Sequence, residues 1–503
     1  MKPIKNIVIL GGGTAGWLTA AVIAAHHKLN THSNIQLTLV ESSDIPTVGV
    51  GEGTWPTMKN TLQAIGINEH EFLKTCQATF KQGGKFVGWE TGNDFYHHPF
   101  TVPLGYERID AAPYLDDVRQ FADLTNYQQA VCEAGLGPKA PTDAEYTAKL
   151  NYAYHLDAGA FADMLKKHCR EKLGVNHIVN TVESVTQNIQ GGIQSMLLTD
   201  GQVIDADLFI DCSGAPALLI GKALGVKKHS TKDILLNDSA LAIQLPYANE
   251  TSPIASMTIA TAQTVGWVWD IGLQKRRGVG YVYASDYIEE QNAYDVLTQY
   301  AEKTHSKADI ASLNIKKIGF DPGYRKQIWQ HNCVAVGMAA GFVEPLEATA
   351  IMLVEQSAKY IAENLPVDEA TMQVVSKRFN EKMQYRWQRI IDFLKLHYLL
   401  TKRPEAYWQA QANFATCPQS LKDDLLIWQS RGPQAADFDS SIELFPAASY
   451  QYVLYGMGFK PNYQQHAHLY KMAEQADAIL TRNQSVKESL LNSLPTNREY
   501  FLN

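Results

Sequence analysis

The chain has few of the residues that mark secreted, metal-bound or membrane-spanning proteins. Its six cysteines (Cys76, Cys132, Cys169, Cys212, Cys333 and Cys417) are scattered over 503 residues, with no CxxC pair and no metal-ligand spacing. No zinc site or disulfide framework is expected, and a reducing, cytoplasmic compartment is. No window reaches eighteen apolar residues, and the apolar run at 6–10 is too short for a signal peptide, so neither a membrane span nor a leader is expected. Excess positive charge is also missing: 44 Lys plus Arg stand against 52 Asp plus Glu, a net charge of −8. That balance gives no electrostatic reason for a nucleic-acid or anionic-membrane partner. Internal repeats and low-complexity tracts are absent.

What remains is ordinary globular composition, 45% apolar and 19% charged, in a chain long enough for two or three cores. The apolar run ends in Gly11-Gly12-Gly13-Thr14-Ala15-Gly16. A helical pattern follows over 17–26, then a strand pattern over 35–40 that closes on Glu41. This is a βαβ unit with a GxGxxG turn. The first glycine allows the tight turn, the second lets backbone approach a pyrophosphate, and the third allows close helix packing. Glu41 is placed to accept ribose hydroxyls. Dinucleotide binding is therefore expected at Gly11, Gly13, Thr14, Ala15, Gly16 and Glu41. The segments at 208–214 and 334–337 resemble later strands of FAD monooxygenases, and no second GxGxxG exists for NAD(P)H, so FAD is favoured.

Further along, the periodicity predicts a helix over 68–81 stopped by Gly83-Gly84, and a strand over 85–89. It also predicts a helix over 161–173, strands over 207–211 and 332–336, and a helical run over 349–360. Residues near 100–145 read as irregular, and after Pro366 the chain reads as long aromatic-rich helices such as 383–400. The expected fold is α/β: a Rossmann-like FAD-binding domain with a mixed sheet over 1–365, of the monooxygenase kind. A helical substrate-binding layer over 366–503 completes it.

Three segments closely resemble the flavin-dependent tryptophan halogenase family: Thr47-Val-Gly-Val-Gly-Glu52-Gly-Thr-Trp-Pro56, Phe80-Lys81-Gln-Gly-Gly-Lys85-Phe-Val-Gly-Trp89, and Gly341-Phe-Val-Glu-Pro-Leu-Glu347-Ala-Thr-Ala350. Gly266-Trp267-Val-Trp269-Asp-Ile271 resembles the family's WxWxIP signature, with Gly272 where proline is expected. The resemblance implies FADH2, delivered by a separate NAD(P)H-dependent flavin reductase, and a bromide or chloride ion. It implies that a flavin hydroperoxide oxidises the halide to hypohalous acid, which reaches an electron-rich arene through a lysine. A homodimer is compatible with it.

The matching lysine is Lys81, and the matching substrate-side glutamate is Glu347. On its own, Lys81 reads as a solvated lysine in a helix's last turn, and Glu347 as a helix-start carboxylate. The resemblance gives the ammonium the task of polarising the halogen, and the carboxylate that of serving the arenium ion or its proton. Thr349 and Ala350 match the halide site, where the family's E-S-T-G reads Glu347-Ala348-Thr349-Ala350; the lost glycine matters if that position needs positive φ. Ser42, Ile45, Glu52, Val182, Gly337 and Ile351 match further flavin contacts. Trp267 and Trp269, two apart on a strand, face one way and match the wall between flavin and substrate. Lys85 reads as structural and Arg276-Arg277 as a solvated loop.

His97 matches a histidine of the substrate pocket, and the ring expected two residues later is Pro99. Members acting on free tryptophan carry a Tyr-Tyr pair for the carboxylate and a Phe-Trp pair followed by asparagine around the indole. Here the latter positions read Leu444-Phe445 and Ser449, and 432–440 holds no tyrosine. These departures fall on amino-acid recognition and point to indole or an indole derivative. Two other readings share the flavin motif: an aromatic hydroxylase, which needs no halide, and a flavin-binding protein without turnover.

Overall fold

The computed structural model describes residues 3–31, 34–44, 51–439 and 441–502. The chain divides into two compact units, each built from three segments: 1–78, 156–231 and 321–387 in the first, 79–155, 232–320 and 388–503 in the second. The expected boundary after residue 365 lies within the last segment of the first unit.

The first unit is organised on a six-stranded sheet in the order Trp329–Gln330, Cys333–Ala335, Leu208–Asp211, Asn6–Leu10, Gln36–Glu41, Asn176–Val179. All neighbours are parallel except the first pair. The expected strands thus stand side by side, and the crossover from Asn6–Leu10 to Gln36–Glu41 is the helix Thr14–His26. Its buried side includes Trp17, Leu18, Ala20, Ala21 and Ile23. A mixture of small and branched apolar residues lets a helix lie close on a sheet.

The second unit carries a seven-stranded sheet in the order Lys316–Gly319, Ser239–Pro246, Arg276–Tyr283, Trp267–Gly272, Thr258–Ala262, Gly83–Val87, Phe95–Pro99. Only Thr258–Ala262 with Gly83–Val87 is parallel. After Phe342 the described residues form no strand, and the helices Glu369–Leu399, Gln419–Trp428, Ala447–Gly456 and Ala473–Leu491 dominate, as the composition change at Pro366 implies. Among the described residues no helix is long and apolar enough to cross a membrane.

Two local expectations are corrected. The helix over 68–81 ends early: it spans Glu69–Thr75, Gln77 takes φ +49°, and Thr79–Lys81 is a strand paired antiparallel with 153–155. Gly83 is a strand residue rather than a cap. It sits so close to the neighbouring strand that a Cβ would lie 2.4 Å from the His98 carbonyl oxygen. Arg276-Arg277 is no loop: it opens the strand Arg276–Tyr283, where Arg277 Nη1 meets the buried Asp270 carboxylate at 2.8 Å. A buried carboxylate needs such a partner.

Candidate functional site

The glycine turn of the first unit divides its labour in space. Gly11, at φ +122°, lies so near the next strand that a Cβ would stand 2.2 Å from the Cys212 carbonyl oxygen. At Gly16 a Cβ would be 1.8 Å from the Gly11 carbonyl oxygen. At Gly13 it would meet no protein atom within 4 Å. Gly13 is also the N-cap of Thr14–His26 and makes no side-chain cap bond, so the helix's first N–H groups face that open space. This is the cradle a pyrophosphate needs. Glu41 closes the neighbouring strand with its carboxylate above Gly12, held by Lys166 at 2.5 Å and His177 at 2.8 Å. Desolvation keeps the His177 imidazole below its ordinary pKa, opposed by Glu41.

Around this turn stand other residues expected to hold FAD. The Ser42 hydroxyl bonds Thr181 at 2.7 Å, and Val182 opens the next strand. Gly337, at φ +69°, approaches Ala15 so closely that a Cβ would be 2.9 Å from the alanine methyl. Glu52 lies on the short strand Gly51–Gly53, and burial pushes its carboxyl up to about 7. Ile45 and residues 47–50 lie outside the described residues. The residues present fit a flavin dinucleotide: an open glycine at a helix start, with an acid one strand away.

Glu347, Thr349 and Ala350 belong to this same unit. The Glu347 and Ala348 backbones both adopt left-handed conformations, with φ of +64° and +54°, ahead of the helix Thr349–Glu363. Ala350 is exposed inside that helix and is not one of the positive-φ residues; the positions that a glycine would relax are 347 and 348. Trp55 Nε1 donates to the Glu347 carbonyl at 2.8 Å, and Thr349 and Ile351 are buried. Two consecutive left-handed L-residues cost free energy that the surroundings must offset. Nearly two turns into the helix, Glu355 is buried, its carboxyl pushed up to about 7 by desolvation against the opposing hydroxyls of Thr61 and Thr57.

Lys81 belongs to the second unit. Its side chain is only 4% exposed, with Nζ 5.3 Å from the centre of the Phe100 ring. His155 pairs with Thr79 across the strand and bonds Thr258 at 2.8 Å. Burial, with a smaller contribution from the Lys81 charge, holds its pKa well below the ordinary value. Lys81 is therefore a buried cation beside a neutral imidazole and an aromatic face. Trp267 and Trp269 share one side of their strand at 6.4 Å, and Trp267 also packs on Trp89.

The substrate-pocket expectations separate by face. On the strand Phe95–Pro99, His97 stands opposite Lys85, and its Nε2 meets Glu133 at 2.7 Å while Lys85 meets the same carboxylate at 2.8 Å. His97 and Lys85 thus share the Glu133 carboxylate on one side of the sheet, and burial holds the His97 imidazole below its ordinary pKa. Ser449 and Phe445 lie on the other side, where His98 Nε2 bonds Ser449 Oγ at 2.9 Å. Phe393 stands edge-on to His98 at 5.6 Å and stacks on Phe445 at 3.9 Å. The structure brings Phe445 and Ser449 together with His98, not His97. The two-residue period of a strand was the signal available for this.

The family model described as tryptophan halogenase matches residues 6–475. A tryptophan halogenase structure from Shewanella frigidimarina superposes with a TM-score of 0.93 at 44% identity, covering 99% of this chain and 97% of that one. The structure of Tar14, a tryptophan C-6 flavin-dependent halogenase (chlorinase) from taromycin biosynthesis, superposes at 0.91 with 32% identity and covers 99% of both chains. Tryptophan 7-halogenase RebH of Lentzea aerocolonigenes is 31% identical over 99% of this chain and 98% of its own.

Proposed function

The chain belongs to the tryptophan halogenase family, and we propose that it halogenates indole or an indole derivative, in preference to free tryptophan, by way of Lys81. It is an enzyme whose family uses FADH2, obtained from a separate flavin reductase, and a halide ion to halogenate an aromatic substrate. Reduced FAD supplies, when bound, the electrons through which O2 oxidises halide.

The burial of Lys81 carries the reading. An exposed lysine would lose an electrophilic halogen to water; one that is 4% exposed, over an aromatic ring, can hold it dry. The Lys81 ammonium donates to the oxygen of hypohalous acid and polarises the halogen toward the arene. The neutral His155 beside it avoids a second buried cation. Glu347 takes the proton that the arenium ion releases, and the N–H groups at Thr349 and Ala350 hold the halide. Ser449, Phe445 and His98 bind the arene, with Phe100 as the ring two residues beyond the histidine. The Ser449 hydroxyl is committed to His98, and 432–440 lacks the tyrosines that would hold a carboxylate, so nothing in this set rewards the amino-acid moiety.

The test is mass spectrometry of reactions with FAD, a flavin reductase, NADH and indole, with and without bromide. A product with the bromine isotope doublet, absent for tryptophan or at least tenfold weaker, is expected. Equal activity on tryptophan refutes the substrate assignment, and a bromide-independent oxygenated product refutes the halogenase chemistry.

A further inference from the structure

The long helix Glu369–Leu399 turns three residues, spaced four apart, toward the arene-side elements of the second unit. His397 Nδ1 meets the Tyr96 hydroxyl at 2.6 Å, and Phe393 stacks on Phe445 and stands edge-on to His98. Arg389, one turn before Phe393, is 7% exposed and enters no surface ion pair. Its Nη1 meets Asp424 at 2.9 Å and Asp392 at 3.2 Å, its Nη2 donates to the Tyr450 hydroxyl at 3.0 Å, and its Nε lies 3.4 Å from Glu443. The guanidinium also lies over the Phe438 and Tyr450 rings. One side chain thus ties the long helix to the helices Gln419–Trp428 and Ala447–Gly456 and to the segment between them.

Glu443 is the element of this cluster with a directional task. Its Oε1 accepts the backbone N–H of Leu444 at 2.8 Å and of Phe445 at 3.1 Å, while its other oxygen faces Arg389. These N–H groups belong to the two residues just upstream of Pro446, the N-cap of the helix carrying Ser449. Three carboxylates around one guanidinium are more than charge neutrality requires, and burial pushes Asp392 up to about 6. Replacing such a buried ion cluster by well-packed apolar residues is often neutral or stabilising, so the cluster is weak evidence of a purely stabilising role.

We propose that Arg389 and Glu443 are positioning residues: acting through the Leu444 and Phe445 amides, they set the Phe445 ring against Phe393 and Ser449 against His98, and so decide which arenes the enzyme accepts. This rests on the reading that Phe445 and Ser449 line the arene site. Arg389 and Glu443 belong to the second unit, whereas the glycine turn and residues 347–350 belong to the first, so substrate selection and halide oxidation should separate under mutation.

The experiment compares Glu443→Ala, Glu443→Gln and Arg389→Lys in two assays: bromination of indole, and bromination of a small diketone trap with no indole present. For Glu443→Ala, kcat/KM for indole should fall roughly 10- to 100-fold, mostly through KM, as expected when a binding wall is misplaced. The trap rate should stay within about twofold of wild type. Glu443→Gln keeps an amide oxygen for the two N–H groups and should recover most of the loss. Arg389→Lys, which keeps the charge and loses the fork, should raise the indole KM and stands in for Glu443→Ala if that variant does not fold. An unchanged indole KM overturns the proposal, and so does an equal fall in both assays. If wild type brominates neither indole nor trap, the function reading fails on its own. Binding then decides the positioning claim: indole should raise the Tm of wild type and not of Glu443→Ala, and an equal rise in both overturns it.

Discussion

Replacing Gly13 by alanine separates cofactor binding from folding at a single atom. The residue has φ −78°, which alanine adopts without strain, and the added methyl would have no protein atom within 4 Å. Reduced freedom in the unfolded chain contributes about 0.4–1 kcal/mol toward stability. An alanine N-cap in place of glycine costs a similar ~0.5–1 kcal/mol. The two nearly cancel, so the Tm of the flavin-free protein should move by no more than about 2 °C. The methyl would, however, occupy the approach to the first N–H groups of Thr14–His26, where a pyrophosphate must come within hydrogen-bond distance. FAD affinity should fall at least about tenfold, or ~1.4 kcal/mol. Gly11→Ala is the contrasting control: φ +122° and a Cβ 2.2 Å from the Cys212 oxygen leave it no room, and it should lose stability before any question of binding arises. Equilibrium dialysis of FAD and thermal melts of both variants make the comparison. Wild-type FAD affinity in Gly13→Ala, or a melt as damaged as that of Gly11→Ala, refutes the assignment of the open space to the cofactor.

Lys81→Ala should abolish halogenated product while oxygen uptake with reduced flavin continues; retained halogenation, read by mass spectrometry, removes the lysine from the mechanism. Ala348→Gly should stabilise the protein by about 1 kcal/mol in urea titrations, because φ +54° strains an L-residue, and a loss of stability would contradict the turn geometry. Glu355 has a folded pKa of about 7 against 4.5 for a free carboxyl, so the folded state holds its proton longer. Its contribution to stability is complete below about 4.5 and is lost as pH rises through 7, at most ~3 kcal/mol. Glu355→Gln should therefore flatten the decline in Tm between pH 5 and pH 8; an unchanged slope disproves the raised pKa.

The nucleotide half of the molecule is legible in the sequence because its signals are local. Strand, glycine turn, helix and Glu41 follow one another within about forty residues, and the glycines have backbone neighbours that explain them. The lysine half is harder to read. Phe72, Leu73, Cys76 and Phe80 continue a helical spacing past the point where Gln77 turns left-handed, so local periodicity carries the helix into what is a strand. The pairing of Thr79–Lys81 with 153–155 spans more than seventy residues, and no local pattern encodes it. His97 and His98 differ by one position, and in a strand one position is the choice of face. Arg389 and Glu443 gave no motif at all; a cluster assembled from four separate segments exists only once the chain has folded.

The spacing of Arg389, Phe393 and His397 bears on how such a chain can change over evolutionary time. Three attachments on one helical stripe share a single phase, so substitutions can vary them one by one. A single residue inserted between Arg389 and His397 would rotate whatever follows by about 100° and advance it ~1.5 Å, detaching His397 from Tyr96 while Arg389 stayed in place. Variation in length should therefore collect in the irregular stretch near 100–145, with its short helices and turns, and be excluded from this part of the long helix.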